Sequence, residues 1–545
     1  MQNQLIVQFK VSPEIMRTRN IDGVKAIATG SDTVVEFLDS EDPQSNEWDQ
    51  AHAVFDKDDN IAFAEPDVNV SLQIPTESLA DENEIDGIKY DEFIAEWPFP
   101  KESKNVWHLA ESYSQLKAAR DAVYSLPKKA KIRIVHLDTG YDEDHDSFPK
   151  ELVNISLSRN FVEGEDLFDA RDRFTDGMLK NPGHGTGTLS ILAGRKMPIA
   201  GISTFDDYIG LSEAIEIVPI RIAESVVLFK SSSFVKALDY IVNELNSKEE
   251  TRVHVVTMSM GGLASKAWAD LVNKAYDQGV FIVTAAGNNY NKLPTRRLVF
   301  PARFNRVVAA CGATYDYSPY AKPDGEGSFS LMEGNHGPKS LMRTAIAAFT
   351  PNVPWAIWKK KDLFGIRGNG TSSATPQIAS AAALYYCKHY EALESLPDRY
   401  MIVEAIRNAL FSTALKKMDK FEGSYEYYFG NGILQAAEAL KVPVPEVRFL
   451  RNKKEKKDTV FLPFIRLILG LRSGVATNEE MLEAELMQLA LSDPEIQRLI
   501  DNPDTDDISE LSNEQRIEFA ALIRENPRAS QALKSAADRI ISKLE

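Results

Sequence analysis

The sequence predicts an α/β fold, a parallel sheet flanked by helices, with a small α+β domain before it and a small all-α appendage after it. Three observations predict this. The runs Ile132-Arg-Ile-Val-His-Leu137, Val253-His-Val-Val-Thr-Met258 and Val280-Phe-Ile-Val-Thr-Ala285 are short, β-branched and almost continuously apolar, as strands buried on both faces are. Leu263 to Gln278, between two of them, has helical spacing, and strand–helix–strand repetition implies a parallel sheet with crossover helices. The alternation runs from about residue 106 to 441 and stops on either side.

Taken in order, residues 1–75 read as the small α+β domain. Leu5-Ile-Val-Gln-Phe9 and Thr33-Val-Val-Glu-Phe37 are β-rich runs, Glu47 to Asp56 is helix-like, and Ile61-Ala-Phe-Ala-Glu-Pro66 is a further strand. Residues 76–105 carry eight acidic residues from Glu77 to Glu96 without periodicity and read as a linker. Residues 106–441 form the α/β domain. Residues 442–545 open with Val442-Pro-Val-Pro445 and the basic run 453–457, and then turn helical. Thr477 with Glu480 and Ser512 with Gln515 fit capping boxes, and Pro494 and Pro527 sit where first turns would begin, giving about four helices.

Composition narrows the function classes. Sixty-two basic against eighty acidic residues leave a formal charge of −18, which argues against a nucleic-acid surface and against a polybasic membrane anchor. The most apolar late run, Val460 to Leu471, is too short to span a bilayer and contains Pro463 and Arg466. No secretory signal is visible in the first twenty residues, and Cys311 and Cys387 are the only cysteines. These features lead us to expect a reducing, cytoplasmic location.

Four segments carry chemistry. Leu137-Asp138-Thr139-Gly140 follows a buried strand, placing a carboxylate where open α/β sheets bind ligands. Asn181-Pro-Gly-His184-Gly-Thr-Gly-Thr188 sets a histidine among glycines and runs into an apolar helix-like segment. Gly370-Thr-Ser372-Ser-Ala-Thr-Pro376 places a serine at a helix start, where backbone N–H groups and the helix dipole favour an oxyanion. Pro376 is expected in the first turn. Ala285-Ala-Gly-Asn288-Asn289 ends another strand and offers an amide donor to the same oxyanion. Singly, each has a bland reading as a turn, a helix cap or a core helix. The other seven histidines, His136 and His145 included, read as structural or surface residues.

In combination the motifs resemble the subtilisin-like serine protease family. The order Asp, His, Ser is that family's, as are His-Gly-Thr at 184–186 and Gly-Thr-Ser-x-Ala-x-Pro at 370–376. Met258-Ser-Met-Gly-Gly262 is similar to its substrate-binding edge strand and 285–288 to its oxyanion segment. Residues 1–75 are similar, chiefly through Ala62 to Asp67, to its inhibitor-like propeptide.

The resemblance implies a serine endopeptidase with Ser372 as nucleophile, His184 as general base and then acid, and Asp138 orienting the imidazole. It implies Asn288 in the oxyanion hole, Ser259, Met260 and Gly261 pairing with an extended protein or peptide substrate, and Val299 at the pocket floor where glycine is common. It also implies that the N-terminal domain is an intramolecular inhibitor. The chemistry requires no cofactor and no metal; acidic clusters are present, but no loop pattern assigns a structural calcium. The C-terminal helices are expected to serve a protein partner. Two other readings stay open at this point: a catalytically silent scaffold, and an aspartic protease using Asp138, although the chain holds no second Asp-Thr/Ser-Gly.

Overall fold

Seven strands join into one wholly parallel sheet, in the order Ala345–Phe349, Val308–Ala313, Phe281–Ala285, Val255–Met258, Ile132–Asp138, Ile215–Arg221 and Arg159–Asn160. The computed structural model describes residues 4–10, 27–29, 33–39, 45–68, 97, 106–173, 183–199, 202–226, 230–323, 326–327, 331–418, 424–460, 478–500, 502, 504 and 511–545. The three strands expected from their β-branched runs are central, and their side chains are almost wholly buried on both faces. Leu137 pairs with Met258 and Asp138 with Arg221. Strands added after Ile132–Asp138 lie on one side of it, and those from Val255 onward lie on the other. The chain therefore has a topological switch point between these two strands, and a crevice opens at their carboxyl ends. Asp138 and Ser259 stand at its lips.

Two buried helices complete the crevice. His184–Ala193 is buried along its whole length, and Gly370–Lys388 is buried from Gly370 to Cys387. The second is Ala-rich and lacks a polar face, as a helix enclosed on all sides requires. Pro376 lies inside this helix rather than in its first turn. It removes the N–H that would have bonded to the Ser372 carbonyl, and that carbonyl accepts instead from the Ser259 hydroxyl at 2.9 Å.

The N-terminal unit is a four-stranded antiparallel sheet, ordered Ile27–Ala28, Thr33–Asp39, Gln4–Lys10, Ile61–Pro66, with the helix Glu47–Lys57 capped by Asn46. It docks on two neighbouring helices of the α/β domain by capping both. Glu65 accepts from Ser265 Oγ (2.8 Å), Lys266 N (2.9 Å) and Ala267 N (3.1 Å) at the start of Lys266–Asp277. Asp67 accepts from the amide and hydroxyl of Ser232 (2.8 and 2.6 Å) at the start of Ser231–Asp239. Carboxylates at helix N-termini satisfy orphan N–H groups and meet the positive end of the dipole. Of the acidic linker expected at 76–105, Trp97 alone is among the described residues, where it packs on Tyr320.

The C-terminal region holds the helices Asn478–Ser492, Pro494–Ile500, Asn513–Glu525 and Gln531–Leu544. Ser512 and Gln515 form their capping box, whereas Thr477 lies outside the described residues. Pro527 does not open a helix: it sits in the connecting turn, and Ser530 caps the last helix. The apolar side chains of these helices share one buried cluster with the N-terminal sheet and with Phe234 and Trp268 of the α/β domain. Gln488 bridges all three units, accepting from Trp48 Nε1 (3.0 Å) and donating to Ala264 O (2.8 Å). These helices therefore pack against both other units of the chain.

Candidate active site

Asp138 ends its strand with the side chain turned into the crevice. Its Oδ1 accepts from its neighbour's amide, Thr139 N (2.7 Å), and lies 2.7 Å from His184 Nδ1. Its Oδ2 accepts from Thr188 Oγ1 at 3.0 Å. Burial pushes this carboxyl up, but His184, His136 and the Thr139 N–H outweigh it and hold the group below the usual carboxylate range. The carboxylate is therefore ionised and fixed at both oxygens.

His184 is the first residue of its helix. The chain reaches it through Gly183, where φ is +75° and an added Cβ would lie 2.2 Å from Trp358 Cβ, so no side chain fits. Thr139 and Asp172 lock this entry to the strand end. Thr139 Oγ1 accepts from Gly185 N (3.0 Å), and Asp172 Oδ2 accepts from Gly183 N (2.9 Å) and from Thr139 Oγ1 (3.3 Å). Behind them the buried Arg221 guanidinium lies 2.8 Å from Glu165 and 3.6 Å from Asp172 and donates to Thr139 O. The Trp355 ring stands against the imidazole, edge-on, with centroids 5.4 Å apart.

Ser372 lies in the first turn of the long buried helix. Its Oγ donates to Ser259 O at 3.1 Å, and among the described residues no hydrogen bond joins it to His184. The neighbouring Ser373 is fully buried and donates to Thr350 Oγ1 at 2.8 Å, so its hydroxyl is already committed. Asn288 faces the same turn. Its Oδ1 accepts from Thr371 N (2.9 Å), with Thr371 Oγ1 3.2 Å away and 3.0 Å from Gly287 O, and the whole amide, Nδ2 included, lies against Gly370. Gly370 has φ +71°, and a Cβ there would stand 2.9 Å from that nitrogen.

The expected substrate residues divide by role. Ser259 spends its hydroxyl on the Ser372 carbonyl, and the Met260 side chain is buried in the apolar cluster, so either can meet a substrate only through its backbone. Gly261 faces the crevice wall. Val299 bridges two segments: its amide donates to Ala286 O (3.0 Å), and the next residue, Phe300, exchanges hydrogen bonds with Gly262. A Cβ on Gly261 would lie 2.2 Å from Val299 Cγ2, and one on Gly287 would lie 3.1 Å from both Val299 methyls. The isopropyl group therefore fills the slot between the 259–262 and 285–288 segments.

Several residues at the site were not singled out from the sequence: Thr188, Asp172, Arg221 and Trp355. His136, expected to be structural or surface-exposed, is buried two residues before Asp138, with its Nε2 2.8 Å from Thr188 Oγ1. Strand period two puts His136 on the Asp138 face, and helix spacing puts Thr188 four residues after His184, so both had a signal. Asp172 and Trp355 come from loop and hairpin segments with none. Among the described residues, no group of three or more His, Cys, Asp or Glu is arranged to hold a metal ion, and no helix is long and apolar enough to cross a membrane.

Comparison with known proteins adds the family. A family model described as the subtilase family, Peptidase S8, matches residues 129–432. Subtilisin DY of Bacillus licheniformis is 25% identical over 313 residues, which are 57% of this chain and 92% of that protein. Subtilisin-like protease 3 of Trichophyton tonsurans is 25% identical over 241 residues, 44% of this chain. Its namesake from Arthroderma benhamiae is 27% identical over 210 residues, 38% of this chain. The chain spans about half the length of these two fungal relatives, 53% and 45% respectively.

Proposed function

Since this chain belongs to the subtilase family and is a serine-type endopeptidase acting on protein or peptide substrates, we propose that Asp138, His184 and Ser372 perform its chemistry. The observation that carries the assignment is the 2.7 Å contact of His184 Nδ1 with a buried, ionised Asp138 at the sheet's switch point, facing a serine at a helix start. Rotation about the Ser372 side chain moves its hydroxyl from Ser259 O to His184 Nε2. Oγ attacks the scissile carbonyl carbon as its proton passes to Nε2. The Ser372 N–H and Asn288 Nδ2 hold the oxyanion, and collapse expels the amine, which takes the proton from His184. Water then cleaves the acyl-enzyme by the same route.

The slot filled by Val299 supports an S1 site for small and medium side chains, met by substrate backbone along Gly261. The caps made by Glu65 and Asp67 support an N-terminal inhibitor domain that keeps the enzyme latent until the linker is cut. Tethering gives that domain an effective concentration on the order of millimolar, so modest affinity suffices. The two cysteines are buried and unbridged, which supports a reducing, cytoplasmic setting.

The test is labelling by a serine-reactive fluorophosphonate after the linker is cut. Label on Ser372 that disappears in Ser372→Ala is the expected result. Label retained in that variant, or absent from a folded and nicked wild type that also cleaves no peptide, overturns the assignment.

A further inference from the structure

A threonine hydroxyl has one proton to give, and Thr188 has three acceptors within reach. They are Asp138 Oδ2 at 3.0 Å and the carbonyls of His184 and Gly185, each at 3.2 Å. A helical threonine ordinarily donates back to the carbonyl four residues earlier, here that of His184. Such a choice would leave Oδ2 of a fully buried carboxylate without this donor. His136 decides between them. It lies on the same face of the same strand as Asp138, is buried, and its Nε2 stands 2.8 Å from Thr188 Oγ1.

The geometry points to His136 and Thr188 as positioning residues for the triad: His136 Nε2–H donates to Thr188 Oγ1, and Thr188 donates to Asp138 Oδ2. With its lone pair engaged by the ring N–H, the hydroxyl proton is directed onto the carboxylate, and the two hydrogen bonds polarise each other. Asp138 is then held at Oδ2 so that Oδ1 presents its lone pair to His184 Nδ1. The opposite tautomer would draw the hydroxyl proton toward His136 and away from the charge. Burial pushes the His136 pKa down to about 4, so the ring is neutral and carries a single N–H at working pH. His136 meets neither substrate nor the reacting atoms; it acts through Thr188. The charged and titratable groups facing it are Asp138, 3.8 Å from Nε2, and His184 beyond.

This inference rests on the triad reading above, and the experiment separates the two. Steady-state kcat and KM are measured on linker-cut enzyme for Thr188→Val, Thr188→Ser, His136→Leu, His136→Gln and the Thr188→Val/His136→Leu double variant, beside Asp138→Asn. Losing a hydrogen bond to a charged group corresponds to about ten-fold or more, so Thr188→Val lowers kcat by about that factor with KM unchanged. Thr188→Ser recovers most of the loss. His136→Leu lowers kcat by a smaller factor, His136→Gln keeps the donor and most of the activity, and the double variant is no worse than Thr188→Val alone. His136→Leu also exchanges a buried polar ring for an apolar side chain, so its thermal midpoint holds or rises while kcat falls, which a purely structural role does not produce. A Thr188→Val enzyme with wild-type kcat, or multiplicative losses in the double variant, overturns the inference. If Thr188→Val does not fold, His136→Leu with unchanged kcat overturns it alone. Full activity in Asp138→Asn refutes the triad reading instead.

Discussion

Val299→Gly opens the slot at the base of the crevice. In the native chain, positions that a Cβ would occupy on Gly261 and Gly287 lie 2.2 and 3.1 Å from the Val299 methyls, so the two walls close on the isopropyl group. Deleting it removes three carbons and frees space for the outer part of an aromatic P1 side chain. Each carbon buried in such a pocket is worth about 0.8 kcal/mol, and one methylene of pocket space discriminates substrates by about 10- to 200-fold. Val299→Gly is therefore expected to raise the kcat/KM ratio of P1 Phe over P1 Ala by about 100-fold, with Val299→Ala in between. The assay uses linker-cut enzyme and peptides that differ only at P1, across Ala, Val, Leu and Phe. Val299 is buried, so thermal midpoints are recorded in parallel, and Val299→Ala carries the test if the glycine variant unfolds. An unchanged Phe/Ala ratio in a folded variant, or a wild type that already prefers Phe, refutes Val299 as the pocket floor.

Two further outcomes are expected. Glu65→Ala strands three donors at the start of Lys266–Asp277, and losing that buried carboxylate costs about 2–3 kcal/mol. In linker-cut protein the variant should reach full peptidase activity at roughly 30- to 160-fold higher protein concentration than wild type on serial dilution; superimposable dilution curves would remove the inhibitory role. Burial lowers the pKa of His108 to about 3, and among the described residues neither ring nitrogen has a partner. Above pH 6.5 the ring is neutral folded and unfolded; as pH falls below 6.5 only the unfolded chain takes the proton, so stability drains away in acid. His108→Leu abolishes this, and urea titrations should show its stability relative to wild type rising by about 2 kcal/mol from pH 7 to pH 5. A pH-independent difference contradicts it.

Much of this molecule is legible in its sequence for two separate reasons. The central strands could be read from unbroken β-branched runs, since burial on both faces suppresses the polar alternation that would blur them. The crevice motifs were legible for a different reason: backbone geometry at Gly183 and Gly370 admits almost nothing but glycine, so the site leaves a mark in residue identity. Pro376 misled because the helix begins at Gly370, two residues before the serine expected at its start, which puts the proline beyond the first turn. Pro527 misled because a proline before a helix and one inside its first turn have the same local pattern, and the Ser530 cap decides between them. Asp172 and Trp355 could not have been found this way. Their places depend on how a loop and a hairpin return to the sheet, and nothing in local spacing records that. Arg221 ends a strand of the sheet, but its pairing with Asp138 is set by strand order and register, which are equally absent from local spacing.

The docking of the three units bears on how the proposed latency would end. Cutting the linker removes the tether and its effective concentration, but leaves the Glu65 and Asp67 caps and the shared apolar cluster untouched. The C-terminal helices add to that residual hold: Asn46 Nδ2 donates to Arg528 O (3.0 Å), Gln531 N donates to Asp49 (2.7 Å), and Gln488 spends both ends of its amide across Trp48 and Ala264. The same helices reach the segment that leads to Val299. Gln497 Nε2 donates to Pro294 O (2.6 Å), and Arg297 donates to Ile500 O, two residues before Val299. On the proposed reading, whatever displaces the C-terminal helices would thus loosen the N-terminal domain and unbrace the segment before Val299 in one movement. Release driven by a linker cut alone would instead leave that segment braced. The two routes are physically distinguishable, because only the first alters P1 preference along with activity.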